Sequence, residues 1–245
     1  KGSARSMGIE VKEMKKTSKR FNAVLEKVDA EKEYEPSEAL NIVKDCANTK
    51  FDETVEIHLN TTLDSRHADQ QLRTSVTLPN GIGKEMKVAV VVEGEAVASA
   101  KEAGADIVGG DELIKELEST ASDYDVIISE RGMMGKLAQI GKILGPKGLM
   151  PNPKNNTVLA ENDLAKGVKE AKSGRVEIKL DKANIIHCVF GKASFSNEQL
   201  MENLSSVYEG IRKNRPSGAK GDFIKSATLC SSMGPGIKID SNKVI

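Results

Sequence analysis

Two periods organise the hydrophobic and polar positions along this 245-residue chain. TVEIHLN (54–60) alternates strictly, which puts Val55, Ile57 and Leu59 on one face of a strand. RVEIKLD (175–181) alternates as a half-exposed strand, NIIHCVFG (184–191) predicts a second, and IKSATL and GIKID close the chain as short strands. KVAVVVE (87–93) behaves differently: a continuous apolar run marks a strand covered on both faces. The helix-period segments are KKTSKRFNAVLEKV, a basic stretch able to form a helix, and a clearer helix from Glu35-Pro36-Ser37-Glu38, with proline suited to the first turn. NDLAKGVKEAKSG and the long FSNEQLMENLSSVYEGIRKNR, stopped by Pro216, predict two more.

Order along the chain then gives architecture. After KVAVVVE come a helix (EAVASAKEAGA), a strand (DIVGG), a helix (DELIKELEST), a strand (YDVIISE) and a third helical segment (MMGKLAQIGKIL). Strand and helix in strict alternation predict a parallel sheet with covering helices. The expected organisation is α/β: an inserted Rossmann-like three-layer domain over 78–158, and a discontinuous α+β domain from both chain ends, 15–77 plus 159–245. Residues 1–14 lack an apolar period and read as a disordered extension. Two crossings, near 72–79 and 156–158, would act as a hinge between the domains.

Composition narrows the function classes. The hydrophobic share of 38% and charged share of 29% suit a globular protein, and no apolar run reaches membrane-spanning length. Cys46, Cys188 and Cys230 form no CxxC pair, and His58, His67 and His187 share no ligand spacing, so no metal is expected. Buried thiols and packed rings are the plain reading of these residues. The net charge is zero, yet Val92–Glu130 is strongly acidic. Arg131–Ala160 carries Arg131, Lys136, Lys142, Lys147 and Lys154 with no acid, and Lys1–Arg20 and Arg212–Lys225 are basic too. Segregated charge of this kind points to an anionic partner.

Enzyme chemistry fails its tests. GKILGPKGLMPNPK (141–154) resembles a phosphate loop, but Gly135 and Gly141 have the wrong separation and Ile143 stands where a hydroxyl belongs. GxGxxG is absent, and the first βα turn, VEGEAV, carries two glutamates that would repel a pyrophosphate. No GxSxG or HExxH occurs. No catalytic residue, nucleotide or other cofactor is therefore expected. Nucleic acid remains, bound without a stacking sheet because aromatics make up only 3%. KFDET (50–54) offers a base, an aromatic and a hydroxyl at a strand entrance, although Phe51 also reads as a core residue. SSMGPG (231–236) is a rigid loop able to approach a partner closely, or a plain turn. The lysines of 141–154 form a basic rim or merely cap the inserted domain.

KFDETVEIHLNTTLDSRHADQQLRTSVTLPNG, GKLAQIGKILGPKGLMPNPKNNTV, IHCVFGKASF and GDFIKSATLCSSMGPGIKID together resemble the L-one family of large-subunit ribosomal proteins, over about Ser18–Asp240. The resemblance implies an rRNA-binding domain made from both chain ends, a hinged Rossmann-like insert, and a place on the mobile stalk beside the tRNA exit site. It implies partners in stalk rRNA, exit-site tRNA, the rest of the ribosome and, for bacterial members, their own mRNA in translational repression. RNA-binding residues carried over are Lys50, Phe51, Thr54, Ser226, Ser232, Met233 and Gly234, with Lys192 weaker and Lys142, Lys147 and Lys154 a secondary contact. The chain departs from the family in having Ser232 where threonine is usual and in its neutral charge, which shifts weight to site-specific contacts. The small, Ser- and Arg-containing lead reads as a processed chloroplast precursor, with a bacterial source or an expression remnant before Met7 as the alternatives.

Overall fold

A computed structural model describes residues 18–94, 96–219 and 221–240. The extension expected over 1–14 lies outside them. The first body is a four-stranded antiparallel sheet of β1 (Thr54–Thr61), β8 (Ile185–Lys192), β9 (Ile224–Ser231) and β10 (Ile237–Ile239), in the order β10-β9-β1-β8. Alternation sends Val55, Ile57 and Leu59 inward, where they meet Ile186, Cys188 and Phe190 of β8 and Ala227 and Leu229 of β9 in one core. Two helices cover that face. In α2 (Pro36–Cys46), Pro36, Ala39, Leu40, Val43 and Cys46 recur at helical spacing and are buried. In α8 (Asn197–Lys213), Ser196 and Gln199 form a reciprocal capping box, and Leu200, Leu204, Val207, Tyr208 and Ile211 face the core. The basic segment before them contributes only α1 (Lys19–Leu25). The opposite face of the sheet stays open: Asn60, His187 and Ser226 are exposed, and Glu56, His58, Thr228 and Cys230 are half-buried.

The second body is a parallel sheet of β3 (Val88–Val91), β4 (Ile107–Gly109), β5 (Val126–Glu130) and β6 (Val158–Leu159), ordered β4-β3-β5-β6. One face packs on α4 (Asp111–Thr120) and the helical turns that end at Leu144. The other packs on α3 (Ala96–Glu102) and α7 (Leu164–Lys172). This three-layer insert on a discontinuous α+β body is the expected fold class. MMGKLAQIGKIL, expected as one helix, is broken into α5 (Met134–Leu137) and α6 (Gly141–Leu144) with 3-10 turns before and between them. Gly135 and Gly141, at about 1 kcal/mol each against alanine, weaken a continuous helix there.

One boundary needs correction. A return to the first body at 158–159 would place α7 there, but Leu164, Val168 and Ala171 share a core with Val88, Val90 and Ile128 of the parallel sheet. β6 is likewise that sheet's edge strand, paired with Ser129 and Glu130. The return crossing lies at 173–175 instead. There Gly174, at φ +96°, sits so close to the outgoing chain that a Cβ would stand 2.6 Å from Gly81 Cα. Beside the crossing, β2 (Arg73–Thr77) pairs antiparallel with β7 (Arg175–Lys179) in a two-stranded ribbon. Buried Asn203 ties the outgoing crossing to the first body: its Nδ2 donates to Gly81 O (3.0 Å) and Phe190 O (2.8 Å), and its Oδ1 accepts from Asn80 N.

Gly167 of α7 faces Leu159 with no room for a Cβ. Gly167→Leu is therefore expected to lower stability by about 1–3 kcal/mol through overpacking, whereas Lys169→Leu on the exposed side of the same helix should change it by less than about 0.5 kcal/mol. Denaturant unfolding of the two variants checks this. Equal effects would mean that α7 does not pack on the parallel sheet.

Candidate nucleic-acid interface

Lys50, Phe51, Thr54, Lys192, Ser232, Met233 and Gly234 gather at one end of the antiparallel sheet. Here the chain before β1 meets the loop after β9, and Ser232 N donates to Thr54 O at 3.0 Å while Thr54 N donates to Ser232 Oγ at 3.1 Å. The serine hydroxyl thus fills a backbone-positioning role that does not need the methyl of threonine. Lys192 enters from β8: its Nζ donates to Thr54 Oγ1 (2.8 Å) and Asp52 O (3.3 Å). Asp52 is held in turn by Ser194, whose Oγ donates at 2.7 Å. The result is a rim of short, mutually bonded loops rather than free chain.

On this rim Phe51 and Met233 are 55% and 50% exposed. Phe51 is therefore not a core residue. Two large apolar side chains held in water on rigid loops, beside exposed Lys50, form a surface ready for a partner. Gly234 lets its loop close, because a Cβ there would stand 2.5 Å from Ser231 Oγ. Ser226 is not part of this cluster. It lies six residues earlier on β9, roughly 20 Å away along a strand, and it points to the same open face as Thr228, Cys230 and Ser232.

Sequence reasoning missed the residue that builds the rim, Glu53. It is 1% exposed. Its Oε2 accepts from Met233 N at 3.0 Å and its Oε1 from Thr49 N at 3.3 Å. Burial pushes this carboxyl up, but the nearby Ser231 hydroxyl (close, though not aligned for a full hydrogen bond), Met233 N–H and Thr49 outweigh it, so the group sits below the usual range. Arg20 was visible only as one base in a basic lead. Its Nη2 donates to Met233 O at 2.8 Å and its Nη1 to Asn48 Oδ1 at 2.9 Å. Both main-chain sides of Met233 are thus anchored, the N–H by a carboxylate and the carbonyl by a guanidinium.

The expected secondary contact lies on the parallel-sheet body. Lys142, Lys147 and Lys154 are all exposed, and Lys147 Nζ donates to Ser122 Oγ at 2.6 Å. GPKGLMPNPK is an ordered cap: Gly148 adopts φ +73°, Asn152 and Thr157 bond reciprocally, and Leu149 and Met150 pack on the core beneath. At the carboxyl ends of the parallel strands, where a doubly wound sheet receives nucleotides, Lys136 instead bridges Glu93 (2.9 Å) and Asp111 (2.7 Å). An acid-lined crevice with its lysine already paired repels phosphate.

One further cluster, not apparent from linear spacing, lies on the open face of the antiparallel sheet. Strand register brings Glu56, His58 and Cys230 together on the open face, with ligand atoms all within 4.8 Å of one another. His58 Nε2 lies 3.1 Å from Cys230 Sγ and its Nδ1 2.8 Å from His187 Nδ1. Burial and then the neighbouring His187 push the His58 ring down, and burial with Glu56 pushes the Cys230 thiol up to about 11. Linear spacing hid these residues because three strands supply them. Cys46 and Cys188 are buried thiols, as expected.

Glu53→Ala removes the buried acceptor of two part-buried N–H groups and is expected to cost about 1–3 kcal/mol of stability. Because the folded-state carboxyl titrates below its ordinary value near 4.5, its stabilisation is complete above that value and is lost as pH falls through the folded-state one. Acid unfolding should accordingly be steeper below about pH 4.5 in the wild type than in Glu53→Gln. Parallel curves would show that Glu53 does not carry this role.

Comparison with known proteins agrees with the fold. The model of the ribosomal protein L1p/L10e family matches residues 43–235. The large ribosomal subunit protein uL1 of Prochlorococcus marinus (strain MED4) is 49% identical over 94% of this chain and 96% of its own. The same-named proteins of Chloroflexus aggregans and Dehalococcoides mccartyi are 50% and 47% identical, over 93% and 92% of this chain and 96% and 95% of theirs. A match of this extent, with the two-body fold and the GPKGLMPNPK and SSMGPG loops in place, settles the family: this chain belongs to the ribosomal protein L1p/L10e family, a family of ribosomal proteins and not of enzymes.

Proposed function

We propose that this protein is a constituent of the large ribosomal subunit that holds a folded segment of stalk rRNA beside the tRNA exit site. The single observation that carries the RNA assignment is the pair of exposed apolar side chains, Phe51 and Met233, on a hydrogen-bonded rim beside an open, hydroxyl-rich sheet face. Phe51 and Met233 pack against sugars and bases. Ser226, Ser232 and the Gly234 backbone reach 2′-hydroxyls and phosphates, and Lys50 and Arg20 supply positive charge. Lys192 and Thr54 chiefly position the rim, since each is already bonded to the other. A neutral chain with a shaped site suits recognition by contact rather than by bulk charge.

The parallel-sheet body, with Lys142, Lys147 and Lys154 on its cap, provides the second RNA contact and meets deacylated tRNA as it leaves. The two crossings at 78–82 and 173–175 allow that body to move relative to the first. Repression of its own mRNA would use the same rim, so sedimentation of the native protein with or without ribosomes distinguishes the two roles. Of the compartments expected above, chloroplast stroma and bacterial cytoplasm, cyanobacterial and other bacterial relatives fit both.

Met233→Asp puts a charge where an apolar contact is buried, and it is expected to weaken binding to a stalk rRNA fragment by about 2–4 kcal/mol. Phe51→Ala should cost about 1–3 kcal/mol. Filter binding at a fixed salt concentration checks both. Unchanged affinity in the two variants would overturn the assignment of the rim.

A further inference from the structure

Glu56, His58 and Cys230 stand together in the middle of the open sheet face, between Ser226 and Ser232. Glu56 and His58 are two apart on β1 and so project to the same side. Cys230 is the register partner of Glu56 on β9, and His187 is the register partner of His58 on β8. We propose that Glu56, His58 and Cys230 form a zinc site of three protein ligands, with His187 and Asp181 behind His58 as positioning residues.

Three observations support it. First, the donor set is a thiol, an imidazole and a carboxylate, the mixture that a borderline-soft divalent ion takes, and three such ligands leave a fourth position for water. Second, the spacing fits. Tetrahedral zinc with ordinary bond lengths places sulfur and nitrogen ligands about 3.6 Å apart and nitrogen and oxygen about 3.4 Å apart. Here His58 Nε2 is 3.1 Å from Cys230 Sγ and 3.9 Å from Glu56 Oε2. Adjustment by about half an ångström brings these two separations to those values, and the ligand atoms of all three residues already lie within 4.8 Å of one another.

The third observation is independent of the ligands. Metal-bound imidazole characteristically donates its other ring N–H to a fixed acceptor, which sets the tautomer. His58 has such a partner on its far side, with Nδ1 2.8 Å from His187 Nδ1. With a proton on Nδ1, His58 donates to His187 and presents the Nε2 lone pair to Cys230 and Glu56. His187 then carries its own proton on Nε2, 3.6 Å from Asp181 Oδ2. Asp181 is itself fixed by the N–H groups of Ile185 (2.7 Å) and Ala183 (2.8 Å). The chain of groups is carboxylate, ring, ring and ligand position, one imidazole longer than the usual arrangement. Metal binding displaces the Cys230 thiol proton to solvent and forms the metal–sulfur bond, with no change of oxidation state.

The chain contains three cysteines and three histidines in all, and Cys46 and Cys188 are buried, so a thiolate-bound metal has one accessible source. Cobalt(II) is titrated into the reduced full chain, followed by zinc. The expected result is one equivalent of tetrahedral cobalt with a thiolate charge-transfer band, displaced by zinc. Cys230→Ser should remove that band and weaken zinc binding at least 100-fold. His187→Ala should keep the band and weaken zinc about 10–100-fold. Circular dichroism confirms that each variant is folded, and Glu56→Gln serves as the second ligand variant. Absence of stoichiometric binding, or a band that survives Cys230→Ser, overturns the site. Unchanged zinc affinity in His187→Ala overturns the relay. No RNA is present in the experiment, so it stands or falls separately from the rRNA reading.

Discussion

A single buried carboxylate organises the surface on which the functional reading rests. Glu53 lies under the junction of two loops far apart in sequence and accepts from the backbone of both, Thr49 on one side and Met233 on the other. A buried charge is costly unless hydrogen bonds satisfy it, so the loops cannot part without exposing that cost. Arg20 locks the same segment from the opposite side by taking the Met233 carbonyl. Once these bonds hold, Phe51 and Met233 have nowhere to bury, and the exposure of two large apolar side chains follows from the backbone.

The antiparallel sheet extends this arrangement. Its inner face spends all its apolar residues on α2 and α8. The outer face carries hydroxyls, an amide, two imidazoles, a thiol and a carboxylate from Ser226 to Ser232, with Ile185 and Val189 half-buried at its β8 side. Such a face has little to offer another protein core and much to offer the sugar–phosphate edge of a folded RNA. The parallel sheet has the opposite character. Both of its faces are buried, its nucleotide crevice is closed by the Lys136 bridge, and the GPKGLMPNPK cap presents exposed lysines with no acid in the segment. A body joined at two close-packed crossings is suited, on the proposed reading, to carry its contact surface toward or away from the other body.

What sequence reveals depends on whether a feature is local. Val55, Ile57 and Leu59 alternate, KVAVVVE runs unbroken, and Pro36 opens a helix, so these elements and the fold class are legible. The amphipathic period of α7 shows that Leu164, Val168 and Ala171 are buried, but period alone does not tell which sheet buries them, and the boundary at 158–159 was misplaced for that reason. β2 escaped because Arg73–Thr77 is a half-exposed ribbon without clean alternation. Glu53 reads as a surface acid in a protein expected to bind RNA, since its partners are backbone N–H groups, one of them contributed by a loop 180 residues later. Glu56 and His58 are two apart on β1, but His187 and Cys230 join them only through strand register. The SSMGPG and GPKGLMPNPK loops, by contrast, announce the family directly, although only SSMGPG belongs to the rim built on Glu53.

The most direct test of the account is protein–RNA crosslinking in intact cells, with the attached peptides and rRNA positions identified together. Crosslinks concentrated in residues 50–54 and 226–236, joined to one folded segment of large-subunit rRNA, are the predicted result. Crosslinks confined to the cap at 142–154, with none on the sheet rim, would contradict it.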